Sequence, residues 1–210
     1  MIEVESRFAL KSIPAPLAKL APLKEKSQLD VYYDTPDYAL LRQGGFLRVR
    51  NNKRMDFKGD FSFAAEVHHD YCNETNFDLN NIPQKSGEIN KLLRLFKIEA
   101  AKTYKNIDDF LKQNNLRVLA TIEKTRREYK FGDMTIALDD TENIGLFLEV
   151  EVMVPDDTSK EKILALKNKM HTELAAYGLL PPDAQQSKIG YVELYLQRHN
   201  PAAYKLGLYK

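Results

Sequence analysis

The sequence predicts an α+β fold in which antiparallel strands form a sheet that closes on itself as a barrel, with helices packed on its outside. Three observations predict it. Apolar and charged residues alternate over several runs, the period of a strand with one charged face. Other stretches carry apolar residues at amphipathic-helix spacing, and such helices need an apolar sheet face to cover. If the helices lie outside and the sheet closes, the charged faces line the interior and no edge is left exposed.

The elements follow in order. Residues 2–10, IEVESRFAL, put Ile2, Val4, Ser6 and Phe8 on one face of a strand and Glu3, Glu5 and Arg7 on the other. Residues 13–26 contain three prolines and predict a short helix opening after Pro16. LDVYYD, residues 29–34, is rich in β-formers and is closed by the turn signal Asp34, Thr35, Pro36, Asp37. After the Gly44–Gly45 pair, Leu47 and Val49 share one face of a strand and Phe46, Arg48 and Arg50 the other; MDFKGD, residues 55–60, is its hairpin partner. Residues 61–83 read as a strand and then an Asn-rich loop before Pro83. Residues 86–97 predict a helix capped by Ser86, with Ile89, Leu92, Leu93 and Phe96 on one face, and a shorter helix follows at 107–114. Three strand runs come next, 117–131, 134–140 after a Gly-Asp turn, and 146–154. Asp157, Thr158 and Ser159 cap a helix over 160–180 that is ended by Gly178 and the Pro181–Pro182 pair. The tail holds one more strand-like run before Pro201. With no repeat and no linker composition, a single domain over residues 1–210 is expected.

Composition narrows the function. A formal net charge of +1, from 31 basic and 30 acidic residues, provides no general field for nucleic acid or an anionic membrane surface, so neither is expected as a partner. No apolar run approaches the roughly 18 residues of a membrane span. The N-terminus has two acids within five residues and lacks the basic-then-apolar order of a secretory signal. The lone cysteine, Cys72, cannot form an internal disulfide, which fits a cytoplasmic protein. His68, His69, Asp70 and Cys72 suggest zinc, but a site needs four ligands and no partner cluster lies elsewhere. His171 and His199 read as ordinary surface or packing residues.

The charges fall on strands in separate acidic and basic sets: Glu3, Glu5 and Arg7; Arg48 and Arg50; Lys124, Arg126, Glu128 and Lys130; Glu149 and Glu151. Taken singly, each set is an ordinary solvated face. Gathered inside a closed sheet, unpaired ions would cost several kcal/mol each, so they must meet each other, water or the charges of a ligand. Arg and Lys suit phosphate oxygens, and clustered carboxylates suit hard divalent cations.

These residues resemble the CYTH superfamily, the triphosphate tunnel metalloenzymes named for class IV adenylate cyclases and thiamine triphosphatases. Glu3, Glu5 and Arg7 are similar to its Glu-x-Glu-x-Lys signature, with arginine in the basic position. VYYDTPDYALLRQGGFLRVR resembles the Tyr-Asp-Thr-Pro turn and Leu-Arg-x-Arg strand, and Lys58 stands where the family has a lysine on the next strand. Lys124, Arg126 and Tyr129 match Lys-x-Arg-x-x-Tyr; Asp139, Gly145, Glu149 and Glu151 match the Asp, Gly, Glu-x-Glu block; Lys188 and Tyr191 match the closing Lys and Tyr. Glu66 or Glu74 is the equivalent of the family's Arg-x-Glu glutamate.

The resemblance implies an eight-stranded antiparallel tunnel. It implies that Arg48, Arg50, Lys58, Lys124, Arg126 and Lys188 grip phosphates and that Glu3, Glu5, Asp139, Glu149 and Glu151 bind Mg²⁺ or Mn²⁺. Glu3, Glu5 and Arg7 would be catalytic. The implied activity is metal-dependent hydrolysis of inorganic tripolyphosphate or thiamine triphosphate, with tripolyphosphate ahead because the chain has no Trp to stack on thiamine. Two alternatives stay open: a class IV-type cyclase making cyclic AMP from ATP, and a non-catalytic polyphosphate-binding module. Monomer and homodimer are both compatible.

Overall fold

Strand alternation becomes a nine-stranded antiparallel sheet in the computed structural model, which describes residues 2–59, 73–100, 103–155 and 157–208, apart from the side chains of Ile2, Glu3 and Asn73. The strands are β1 (Ile2–Leu10), β2 (Lys24–Asp34), β3 (Phe46–Arg50), β4 (Arg54–Gly59), β5 (Asn73–Asp78), β6 (Arg117–Phe131), β7 (Met134–Thr141), β8 (Gly145–Val154) and β9 (Gln185–Ser187). The helices are α1 (Ala15–Ala18), α2 (Ile82–Leu95), α3 (Ile107–Gln113), α4 (Lys160–Ala176), α5 (Tyr191–His199) and α6 (Pro201–Tyr204). No described helix is long and apolar enough to cross a membrane.

The strand order is β5-β4-β3-β2-β6-β7-β8-β1-β9. Closure needs a ladder between the two terminal strands, and among the described residues β5 and β9 do not pair. The expected α+β fold with an antiparallel sheet is present; among the described residues that sheet has nine strands and no ladder closing it into an eight-stranded barrel, and its ninth strand is a three-residue addition on β1. The chain divides into two compact units: Met1–Gln28 with Glu123–Gly190, and Leu29–Ile122 with Tyr191–Lys210.

In the first unit β1 pairs with β8 and β8 with β7, in a register that sets Glu5 opposite Glu151 and Arg7 opposite Glu149. Side chains alternate across a strand, so Val4, Ser6 and Phe8 take the opposite face. That face is covered by α4, which buries Ile163, Lys167, Met170 and Leu174. Its His171 ring packs edge-on against Phe8, centroids 5.0 Å apart, and Nε2 lies 3.0 Å from Ser6 Oγ. The N-cap is Ser159, whose side chain accepts from Lys162 N, as the sequence predicts. Gly132 at φ 57° makes the two-residue turn between β6 and β7.

In the second unit β3 and β4 pair across Asn51 and Asn52, both left-handed, a conformation asparagine tolerates. One face of β3, β4 and β5 supplies Leu47, Val49, Met55, Phe57 and Phe77 to a core completed by Ile82, Ile89, Leu93 and Phe96. The helix carrying those residues starts at Ile82, not Ser86, because Pro83 presets the first-turn backbone. Ser86 sits inside α2, its hydroxyl turned back onto the Ile82 and Pro83 carbonyls while accepting from Tyr104 N. The tail also departs from the sequence reading. YVELYLQRH is helical as α5, since burial falls on Tyr191, Val192, Glu193 and Leu196, a spacing of a helix face and not of a strand.

Two outcomes follow. A Cβ on Gly45 would lie 2.2 Å from Phe96 Cε1, so Gly45→Ala should destabilise the protein by about 1–3 kcal/mol, measured as a lower denaturation midpoint. Burial, with a smaller contribution from Lys167, holds His171 below the ordinary histidine value. The unfolded chain then takes up the proton first, near pH 6.5. Stability should therefore be full above that pH and fall as pH drops through it, and His171→Gln should flatten this limb of a denaturation-versus-pH profile.

Candidate functional site

Each unit carries one charged sheet face. In the first, cross-strand pairing aligns Lys124, Arg126 and Asp139 with Glu149, Glu151, Glu5 and Arg7, because residues directly opposite share a face about 4.5–5.5 Å apart. Ala137 and Thr135, opposite Glu149 and Glu151, are small.

Asp139 is fully buried and accepts from Lys124 Nζ at 2.6 Å and from Arg126 Nε and Nη2 at 2.7 and 2.6 Å. Arg126 Nη2 also donates to Glu149 Oε2, and its Nη1 is 3.5 Å from Glu151 Oε1. Arg7 donates from Nε to Glu149 Oε1 at 2.7 Å, from Nη2 to Glu5 Oε1 at 3.3 Å and from Nη1 to the Ile189 carbonyl at 2.9 Å. It thereby ties the residue after Lys188 to β1. Burial alone would raise the Glu149 pKa, but Arg7, Arg126 and Lys124 outweigh it and hold the carboxyl well below the usual range. Burial lowers the Lys124 pKa despite Glu149 and Asp139.

The expected metal ligands are thus distributed unequally. Asp139 and Glu149 are buried among cations, whereas Glu5 and Glu151 are directly opposite each other in register and partly exposed, at 37% and 23% of their side chains. Among the described residues no three His, Cys, Asp or Glu side chains converge as a metal cage. Mg²⁺ does not require one, since it is commonly held by one or two carboxylates, water and substrate phosphates. Glu5 and Glu151, with Glu149 beside them, fit that donor set. Glu3 lies in β1 opposite Met153; its side chain falls outside the description. Lys188 is exposed in the loop after β9, while Tyr191 and Tyr129 are packed residues. Glu66, His68, His69, Asp70 and Cys72 lie outside the described residues.

In the second unit Arg48, Arg50 and Lys58 share a face with Asp30, Arg54, Asp56 and Glu74. Arg50 donates from Nε and Nη2 to the two oxygens of Asp30, both at 2.7 Å. Arg48 is buried and donates from Nε and Nη2 to Asp56 Oδ2 at 2.9 and 2.6 Å. Burial would lower its pKa, yet Tyr32, Asp30, Asp56 and Glu74 together raise it. Lys58 Nζ lies 2.6 Å from Glu74 Oε2. Asp30, Arg54 and Asp56 escaped the sequence reading of the site: Arg54 and Asp56 alternate in step with Lys58, which it did select, whereas Asp30 lies on β2, where it selected none.

The Tyr-Asp-Thr-Pro turn has a structural explanation. Asp34 accepts from the backbone N–H groups of Thr35, Leu40 and Leu41 at 2.7, 3.0 and 2.9 Å, fixing the loop that leads into β3.

The CYTH domain family matches residues 1–179 of the chain. A "putative adenylate cyclase" of Methanocaldococcus jannaschii is 27% identical over 169 residues, 78% of this chain and 84% of that protein. A solved structure from Pyrococcus horikoshii aligns with a TM-score of 0.62 at 19% identity, covering 94% of this chain and 99% of that one. The structure of the "putative adenylyl cyclase HpAC1" from Hippeastrum, described as revealing a dominant triphosphatase activity, aligns with a TM-score of 0.57 at 17% identity over 93% of this chain and 96% of that one. At these identities the solved structures share the fold.

Removing Asp139 would leave Lys124 and Arg126 without their buried counter-ion. Asp139→Ala should cost about 3–5 kcal/mol in denaturant unfolding, far more than a surface substitution.

Proposed function

Because the chain belongs to the CYTH domain family, we propose that it is a divalent-metal-dependent triphosphatase acting on inorganic tripolyphosphate or thiamine triphosphate. The observation that carries this reading is the pairing of Glu5 with Glu151 in register, beside Arg126 and Arg7 on one sheet face. It sets accessible carboxylates next to fixed cations, the combination that hydrolysis of a phosphoanhydride requires.

Glu5, Glu149 and Glu151 would hold Mg²⁺ or Mn²⁺, with Glu3 and Asp139 in the same acidic set. When bound, the cation supplies neutralising charge for the phosphoryl oxygens. Arg126, Lys124 and Lys188 in the first unit, and Arg48, Arg50 and Lys58 in the second, are the proposed phosphate-binding cations. Arg7 stays protonated at any ordinary pH, so it cannot take a proton from water. Its three donated bonds suit a positioning role instead, with Glu149 held ionised and the Ile189 carbonyl tethered. A carboxylate, Glu5 or Glu151, then orients the attacking water.

The second reading, cyclisation of ATP to cyclic AMP, is favoured by the name of the Methanocaldococcus relative. Release of phosphate and of cyclic AMP from tripolyphosphate, thiamine triphosphate and ATP separates the two. Chelator-sensitive phosphate release is expected, and Glu151→Gln should reduce it at least tenfold with the fold unchanged. Cyclic AMP from ATP would establish the cyclase instead, and silence on all three substrates would indicate a binding module.

A further inference from the structure

On the charged face of the second unit the carboxylates are of two kinds. Asp56 is fully buried, 2.6 Å from Arg48 Nη2 and 2.7 Å from Arg54 Nε, and Asp30 is nearly as buried in its two-bond pair with Arg50. Neither can reach water without unpacking the sheet. Glu74 differs. It lies on β5, the terminal strand of the order, and 28% of its side chain is exposed. Its Oε2 is 2.6 Å from Lys58 Nζ, and its Oε1 is 3.4 Å from both Arg48 Nη2 and Arg54 Nη2.

One mobile-length carboxylate therefore stands among three cations drawn from two neighbouring strands, with Lys58 and Arg54 also partly exposed, at 32% and 41%. Two of its three contacts are long for a charge-assisted hydrogen bond, which normally closes to about 2.7–2.9 Å. Glu74 Oε1 is shared between the two guanidinium groups and closes fully on neither, at 3.4 Å from each; a phosphoryl group offers three oxygens and can give each of the three cations one of its own. We propose that Glu74 is an exchangeable internal counter-anion, filling an anion subsite made by Arg48, Arg54 and Lys58 that an incoming phosphoryl group takes over.

The inference rests on the triphosphate reading above and adds two features to it: Arg54 as a further phosphate-contacting residue, and Glu74 as a competitor that sets the affinity threshold. Burial would raise the Glu74 pKa, but Lys58, Arg48 and Arg54 bring it below the ordinary value, so the competitor stays ionised at neutral pH. The framework ions Asp56 and Asp30 remain in place during the exchange. They keep Arg48 and Arg50 neutralised and oriented, and only the outer carboxylate swings into solvent.

The test is calorimetric binding of tripolyphosphate in EDTA, where neither metal nor turnover contributes. Glu74→Gln keeps the shape and removes the charge, and should bind about tenfold more tightly than the wild type; Glu74→Ala should do the same. Arg54→Gln should bind about tenfold more weakly. Wild-type binding that Glu74→Gln and Glu74→Ala leave equal or weaker overturns the exchange mechanism while the triphosphate reading stands. Absence of tripolyphosphate binding in the wild type and in both Glu74 variants, each folded by circular dichroism, overturns the anion subsite, and the triphosphate reading falls with it only when added Mg²⁺ restores no binding.

Discussion

Charge taken out of water has to be paired, and the side-chain order of this protein is organised around that constraint. Asp139, Asp56 and Glu149 have almost no contact with solvent, and an ion in that position costs several kcal/mol unless an opposite charge meets it. Strand pairing supplies the partner. Arg126 opposite Asp139, Arg7 opposite Glu149 and Arg48 opposite Asp56 are cross-strand neighbours on one face. The same pairing pins the register, because a one-residue slip would turn these ions toward the apolar face and expose Phe8, Leu148 or Phe57 in exchange.

The constraint also separates charges that hold the framework from charges that are available to a ligand. Lys124 and Arg48 have the residue types of phosphate binders, yet both are buried and surrounded by carboxylates. Their first effect is to orient Asp139 and Asp56 and, through them, Arg126 and Arg54. Glu5, Glu151, Lys58, Arg54 and Glu74 keep partial exposure and stand at the surface of each network. Asp34 belongs to a third category. Its carboxylate serves backbone N–H groups of the loop before β3, so the Tyr-Asp-Thr-Pro block owes part of its character to loop architecture.

The chain belongs to the CYTH domain family, and the arginine at position 7 stands where the resemblance implies a lysine. A guanidinium spans three acceptors in a planar fork, where an ammonium is a compact point charge. Arg7 uses that geometry to bridge Glu5, Glu149 and the Ile189 carbonyl, joining β1, β8 and the segment beside Lys188 within one unit.

Much of the fold was legible because it depends on local periodicity. A period of two places Glu3, Glu5 and Arg7 against Val4, Ser6 and Phe8 whatever the neighbours are, and the hairpin at Gly132 and the cap at Ser159 are equally local. Where tertiary packing competed with local signals, the sequence was a weaker guide. Ser86 carries a capping side chain but lies inside α2, because Pro83 and the buried Ile82 begin the helix earlier, and the tail's alternating look yields to a helix that buries Tyr191 and Leu196. Barrel closure was inferred from charged strand faces, amphipathic helices and a family resemblance, and pairing between end strands is a property no single strand encodes. The sequence by itself determined which residues share a face and therefore which charges are candidates. Only the tertiary structure decided which charge meets which, since Arg7 and Glu149 are 142 positions apart and Arg48 and Glu74 are 26 apart, and electrostatic partnership depends on distance in space.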